Sequence, residues 1–396
     1  MRDPGLRTAP TPVYLDWNAT TPPLPEVTAA MGEAAREAWG NPSSVHGFGR
    51  AARACVEAAR EAVARLARSD PQDVLLTSGG TEANNIAVRS AFPAGAGERG
   101  VLVTSRLEHP SVLRVCEALE REGRARLRWL RVRPEGTVEL DDLARALAEG
   151  GVRLVALMAV NAETGVVQPA REAIALAHRA GVRIHVDAVQ VFGRLDDVLE
   201  EADTRSLGAH KMRGPKSIGA LVSRPGLGLA PVVLGGSQER GLRPGTVDAV
   251  SAAGLGVAAR HALSSPARWA AVAPLRDALE RGLIALHPGA RVNGAGAARA
   301  PHVTSLAFPG WAGPELVAAL DLEGVAASGG SACSAGTAEP SGVLLAMGNV
   351  AAATSTVRFS LGEATSAQDV EAALAAAARV LGRGAVPAHP HGRPPA

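Results

Sequence analysis

Lys211 and Lys216 are the only lysines in a chain of 396 residues that carries 41 basic side chains, so 39 are arginine. An ε-amine can lose its proton and attack a carbonyl to form a Schiff base, whereas a guanidinium stays protonated. Lys211 follows His210 directly and precedes a Gly-Pro turn, which makes it the candidate nucleophile. Lys216 belongs to that turn and reads as structural or as a charge for an anion. Codon bias with two surviving lysines is the alternative reading. A second reactive group is Cys333, in the Gly/Ser stretch SGGSACSAG, which is too small and polar to be core. Cys55 and Cys116 sit in alanine- and leucine-rich helical patterns and read as small buried hydrophobes. Three cysteines without a CxxC pair give no disulfide framework and no metal site.

Three further groups have the chemistry of ligand contacts. In TSGGTEANN (Thr77 to Asn85), Gly79 and Gly80 let the backbone approach closely, Thr81 can cap, and the N–H groups at a helix start face an anion. An ordinary strand-to-helix turn has the same form. Asp187 in HVDAVQ stands at the carboxyl end of an apolar run, where open α/β sheets bind ligands. A buried carboxylate there suits a protonated pyridine nitrogen, and Gln190 is placed to donate to an oxygen on the same ring. A turn or capping aspartate is the other reading. Arg358 interrupts the strand pattern VRFSLG with a charge, and its planar fork matches a carboxylate. As one of 39 arginines it also reads as a surface residue.

The elements that must position these residues alternate. Strands are expected at Val74 to Thr77, Gly100 to Ser105, Leu127 to Val132, Arg153 to Val160, Val182 to Ala188 and Ile218 to Ser223. Helices are expected at Arg50 to Arg68, Thr81 to Ser90, Ser111 to Arg121, Asp141 to Glu149 and Ala170 to Arg179. This predicts an α/β fold with a mostly parallel central sheet flanked by helices. Beyond GGSQERGLRPGT come alanine-rich helices at Val247 to Leu263 and Ala267 to Leu286, then a strand and helix mixture to Leu381. The expected division is a large domain over 14–255 and a smaller α/β C-terminal domain over 256–382, with the N-terminal segment 1–20 packing on it. The proline-rich end, 383–396, reads as a disordered tail.

Hydrophobic residues make up 46% of the chain, ample for a large core, and the formal net charge is +2. No basic stripe supports nucleic-acid binding, and no apolar run approaches a membrane span. The expected location is the cytoplasm.

Ten blocks together resemble the pyridoxal-phosphate-dependent cysteine desulfurases of the class V aminotransferase family, in that family's order. They are YLDWNATTP (Tyr14 to Pro22), GNPSS (Gly40 to Ser44), TSGGTEANN, EHPSV (Glu108 to Val112), NAETG (Asn161 to Gly165), HVDAVQ (His185 to Gln190), AHKMRGPKSIGAL (Ala209 to Leu221), GGSQERGLRPGT (Gly235 to Thr246), SGGSACS (Ser328 to Ser334) and VRFSLG (Val357 to Gly362). The Cys333 loop is similar to the NifS/IscS-type branch. The resemblance implies a fold-type I enzyme in which Lys211 forms the Schiff-base link to pyridoxal 5'-phosphate, Asp187 pairs with the pyridine nitrogen and Gln190 contacts the ring oxygen. It further implies that His109 stacks on the ring, that Gly80, Thr81 and His210 hold the phosphate, and that Thr246 reaches across a homodimer to the neighbouring site. Asn161 and Arg358 are implied to grip the substrate carboxylate, and Cys333 to accept sulfur as a persulfide, with His109 carrying a proton.

The implied reaction converts L-cysteine to L-alanine and hands the sulfur to an acceptor protein, of the iron-sulfur scaffold or tRNA-thiolation kind. Alternatives are another enzyme of this fold, an aminotransferase or selenocysteine lyase, and a non-catalytic sulfur-relay scaffold. The chain departs from the family pattern at Trp17, where Asn or Ser is usual, at Gly80 (Ala), Gly208 (Ser), Ser217 (Gly) and Gly329 (Ser). Losing the hydroxyl at 208 is expected to weaken the hold on the cofactor by about 1 kcal/mol.

Overall fold

The computed structural model describes residues 12–93, 99–330 and 339–383. The chain enters as β1 (Val13–Tyr14) and then builds a seven-stranded sheet from β2 (Val74–Thr77), β3 (Gly100–Thr104), β4 (Ala125–Trp129), β5 (Val152–Met158), β6 (Arg183–Asp187), β7 (Thr204–Gly208) and β8 (Gly219–Ser223). Its order is β2-β8-β7-β6-β5-β3-β4. The run from β7 to β4 is parallel throughout, and β8 is antiparallel to both of its neighbours. Runs such as GVLVT in β3 are buried at every residue, as expected for strands covered by helices on both faces.

Strand β7 was not expected, because TRSLG reads as polar, yet all five of its residues are buried. Its polar groups find partners inside. Arg205 donates from Nη1 to the carbonyl oxygens of Ala67 and Val198, both at 2.8 Å, and Thr204 Oγ1 lies 2.9 Å from His185 Nδ1. The helix Pro25–Glu37 was also not anticipated; it packs with Gly47–Ala67 and Ala249–Ala262 against the outside of the sheet. In Gly47–Ala67 and Ala249–Ala262, alanines and glycines fill the buried faces, which lets the axes come close. The expected helix Ala267 to Leu286 is two helices, Pro266–Ala270 and Ala273–Leu286, since Pro274 favours a helix start over a helix interior.

The second core gathers Val13, Leu15, Val272, Leu279, Leu306, Phe308, Leu316, Phe359 and Val370. Its sheet consists of β9 (Arg291–Val292), β10 (Val303–Ala307), β12 (Ser328–Gly329) and β13 (Thr356–Ser360), all antiparallel, while β11 (Val325–Ala326) pairs in parallel with β1. Helix Ala249–Ala262 lies wholly on the first core, so the change of core falls after it rather than at residue 255. The tail expected over 383–396 lies outside the described residues, apart from Arg383.

Between the cores runs Leu15 to Thr21. The Asn18 amide donates to Ser360 Oγ at 2.9 Å and the Thr21 amide to the His210 carbonyl at 3.0 Å, so this segment joins β13 to the turn after β7.

Candidate active site

Parallel strands deliver their carboxyl ends to one edge of the sheet. Met158 at the end of β5 is level with Asp187 at the end of β6, and Asp187 with Ser206 of β7. Directly after β7, Ala209–Lys211 turns the chain so that Lys211 Nζ donates to the carbonyl oxygens of Asn18, at 2.5 Å, and Ala19, at 2.9 Å. Asp187 is held by three donors: Asn84 Nδ2 at 2.8 Å on Oδ2, and the Val189 amide at 3.0 Å and Ser206 Oγ at 3.4 Å on Oδ1.

His109 caps the helix Pro110–Arg121. The residue before a proline favours extended backbone, and at φ −62° and ψ 148° His109 accepts the Ser111 amide on Nδ1 at 3.1 Å. With Nδ1 an acceptor, the ring proton belongs on Nε2 in the neutral form. Burial and nearby Lys211 push the ring's pKa below its usual value, against the pull of Asp187. The chain of contacts continues from His109 Nδ1 to Ser111 Oγ at 2.8 Å, to Asn84 Nδ2 at 2.8 Å, and on to Asp187. On the far side Asn84 Oδ1 lies 2.9 Å from His185 Nε2, and burial drives the pKa of His185 down to about 4. One buried network thus aligns His109 and Asp187.

The start of the helix Gly80–Ser90 is open. Gly79, its N-cap, has φ +148°, a conformation that only glycine adopts freely, and no side chain caps the first turn. A Cβ on Gly79 would meet nothing within 4 Å. Free helix N–H groups with room before them fit a phosphate. His210 stands beside this turn: a Cβ built on Gly208 would lie 3.4 Å from His210 Cδ2 and 3.7 Å from Gly80 N. Burial, Lys211, Arg194 and Lys216 push His210 down to about 4, so it is neutral at pH 7, with Nδ1 3.2 Å from Thr20 Oγ1. Thr81 is exposed in the first turn of the same helix, and Thr246 is exposed at the end of a different loop.

On the side of the second core, Arg358 is buried on β13. Its Nη1 donates to the Ala162 carbonyl at 2.9 Å and its Nη2 to Asp16 Oδ1 at 2.6 Å, while Nε has no hydrogen-bond partner. A buried unpartnered donor on one edge of the fork fits a carboxylate. Asn161 shapes the turn beside it, accepting the Glu163 and Thr164 amides on Oδ1 at 2.9 Å each. One of its amide hydrogens goes to the Leu107 carbonyl at 3.1 Å and the other to the weak acceptor Met158 Sδ at 3.5 Å. Cys333 lies outside the described residues. Of the other two cysteines, Cys116 is buried and pushed far up by desolvation, and Cys55 is half-buried and also raised, as inert thiols should be.

Several residues that matter here were not singled out in the sequence, although Asn18, Asn84 and Ser111 lie within the ten blocks. Asn84 and Ser111 are polar positions inside helices, Asn18 sits in a loop, and Arg194 is one arginine of 39; only the folded contacts single them out. Glu163, half-buried and accepting from Ser341 Oγ at 2.5 Å, has its pKa raised to about 7 by desolvation.

The departures from pattern have structural counterparts. The Trp17 indole packs flat on Gly362, where a Cβ would fall 1.9 Å from Trp17 Cδ2, and its Nε1 donates to the Tyr14 carbonyl at 3.1 Å. Gly80 is matched to Val189, whose Cγ2 would lie 2.6 Å from a Cβ at 80. Ser217 adopts φ +61°, a left-handed conformation that a glycine would hold without strain.

A lysine, a carboxylate fixed by three donors and a histidine brought to one sheet edge beside an uncapped helix start suit an enzyme of the pyridoxal-phosphate aminotransferase class. The chain belongs to the aminotransferase class-V family, whose model matches residues 13–373. It is 43% identical over 363 residues to the cysteine desulfurase of Cereibacter sphaeroides, covering 91% of this chain and 93% of that protein. The NifS cysteine desulfurase of Azotobacter vinelandii is 40% identical, with 91% of this chain and 90% of that one covered. Among solved structures, a NifS-like protein superimposes with a TM-score of 0.87 at 31% identity, covering 94% of this chain and all of its own.

Proposed function

We propose that this protein is a pyridoxal-phosphate-dependent cysteine desulfurase that moves sulfur from L-cysteine to Cys333. The observation that carries the reading is the meeting of Lys211, Asp187 and His109 at one sheet edge with the open helix start at Gly79 and the fork of Arg358. A ketone-exchanging enzyme has no use for a cysteine in a Gly/Ser stretch, and the family relatives are desulfurases. When bound, the cofactor serves as an electron sink for charge developing on the substrate carbon.

The chain's own residues supply the rest. Asp187 holds a ring nitrogen in its cationic form, Gln190 donates to the ring oxygen, and Gly80, Thr81 and His210 hold the phosphate. The Arg358 Nε edge binds the substrate carboxylate, helped by the Asn161 hydrogen now spent on Met158 sulfur. Lys211 carries the Cα proton, and neutral His109 moves a proton to or from the substrate thiol. The Cys333 thiolate attacks the substrate sulfur; an S–S bond forms, the C–S bond breaks with its electron pair staying on carbon, and a proton completes L-alanine. L-cysteine and the enzyme thiol become L-alanine and an enzyme persulfide, with no external oxidant.

The persulfide passes to an acceptor protein of the iron-sulfur scaffold or tRNA-thiolation kind in the cytoplasm. Among the described residues no helix is long and apolar enough to cross a membrane. A homodimer is supported by apolar side chains left in water: Trp39, 65% exposed with its ring 4.9 Å from that of Phe48, and Leu234, 87% exposed. Thr246 then reaches the neighbouring subunit's phosphate. The test is to incubate purified holoenzyme with L-cysteine, measure alanine against sulfide, and find the 32 Da adduct (about the mass of one sulfur atom,) on Cys333 by mass spectrometry. Alanine without an adduct on Cys333 would reject the assignment, as would keto-acid formation without alanine.

A further inference from the structure

Arg194, 1% exposed, is the most deeply buried cation beside the site, and it has no carboxylate partner among the described residues. Its Nη1 donates to Gln190 Oε1 and, at 2.6 Å, to Asn18 Oδ1; Nη2 donates to the Trp17 carbonyl at 2.9 Å and Nε to the Lys211 carbonyl at 3.0 Å. The guanidinium lies 4.7 Å over the Trp269 ring, and Nη1 is 3.2 Å from His302 Nε2. Burial and the charge of Arg358 push its pKa down to about 9. Taking a cation out of water without a counter-charge is unfavourable, so a purely structural site would be better filled by an apolar side chain.

We infer that Arg194 is a positioning residue that sets the orientation of the Gln190 amide and the seat of Lys211 for cofactor binding. A glutamine amide has two ends of nearly equal shape and opposite hydrogen-bonding sense. Arginine only donates, so Gln190 must turn Oε1 toward it and Nε2 away. Nε2 then points at the Asn18 carbonyl, 3.4 Å distant, the same oxygen that accepts from Lys211 Nζ. Amide hydrogen and lysine amine therefore converge on one point, and the same guanidinium holds the Lys211 main chain and Asn18 side chain that complete it. This rests on Gln190 being a donor to the cofactor.

The test compares R194M, R194K, Q190A, Q190E and R194M/Q190A by titrating each apoenzyme with pyridoxal phosphate and following the visible absorbance of the bound cofactor against pH. R194M should weaken cofactor binding about tenfold or more, the loss expected for hydrogen bonds from a charged group, and move the absorbance midpoint. R194K, which keeps the cation, should recover part of both. In the Q190A background R194M should add much less than it does alone. Q190E should pair with Arg194 and melt higher, yet bind cofactor more weakly, because it presents an oxygen where a hydrogen is needed; this arm holds even where R194M does not fold. Effects of Arg194 and Gln190 that simply add, or an R194M and R194K pair that shift melting without moving affinity or midpoint, would overturn the inference. A Q190A variant with unchanged affinity and midpoint would instead sink the Gln190 reading beneath it.

Discussion

Arg358 holds Asp16 through a 2.6 Å contact from Nη2 to Oδ1, so the arginine proposed to grip the substrate already carries a carboxylate of its own chain. The free Nε edge is what remains for an incoming carboxylate. Lysine at 358 would keep a charge but lose the fork. R358K should raise KM for L-cysteine about tenfold or more, from the 1.5–3 kcal/mol of a charged hydrogen bond, with cofactor content unchanged. Steady-state kinetics with absorbance quantification of the cofactor decides it; an unchanged KM would remove Arg358 from substrate binding.

Gly208 has room that it does not use. Its backbone is extended at φ −127°, which any residue adopts, and a Cβ there comes no nearer than 3.4 Å to His210 Cδ2, with His210 Nε2 and Gly80 N each at 3.7 Å. G208S should add one phosphate donor and tighten pyridoxal phosphate about fivefold, the equivalent of a net hydrogen bond of about 1 kcal/mol. Equilibrium titration of the apoenzyme measures this directly.

Glu108 is fully buried, with one oxygen on Ser105 Oγ at 3.0 Å and the other without a partner. Desolvation raises its pKa to about 8 from an ordinary 4.5, and Asp187 adds to the rise. The folded chain therefore binds this proton more tightly than the unfolded chain does, and stability falls as pH rises from about 4.5 toward about 8. Glutamine, already neutral, escapes that loss. Melting temperatures of E108Q should change less than those of the parent between pH 6 and pH 9 (an interval of about three units that spans the upper part of the window,). Parallel curves would show that Glu108 is not a carrier of the proton.

Ser217 sits exposed at φ +61°, on the turn that leads from Lys211 into β8. A non-glycine residue in this region is strained by roughly 1–2 kcal/mol, part of which glycine gives back through its freer unfolded chain. S217G should be more stable by roughly 0.5–1 kcal/mol in urea unfolding. A less stable variant would mean that the hydroxyl makes a compensating contact.

Most of the parallel sheet was legible because buried parallel strands read as apolar runs: GVLVT and the core of RLVALMAV stand as β3 and β5. Strand β7 was not, because its burial depends on partners brought from Ala67, His185 and Val198, far away in the chain. Lys211, Asp187 and the Gly79-Gly80 turn announced themselves by residue type and position next to strand ends. Asn84, Ser111 and Arg194 did not, since a polar side chain on a helix or turn looks the same whether it faces water or a buried carboxylate.

Local chemistry is what the sequence determined alone: one amine in a chain of guanidiniums, a glycine pair before a helix, a carboxylate closing an apolar strand. Those properties depend on a residue and its immediate neighbours. Only the tertiary structure decided that Asn18, 193 residues from Lys211, supplies the oxygen on which the lysine amine rests. It likewise decided that Asp16 shares the Arg358 fork and that Gly362 makes room for Trp17. Contacts of that span exist only once both cores have formed, because the segment Leu15 to Thr21 is held in place by β13 on one side and the turn after β7 on the other.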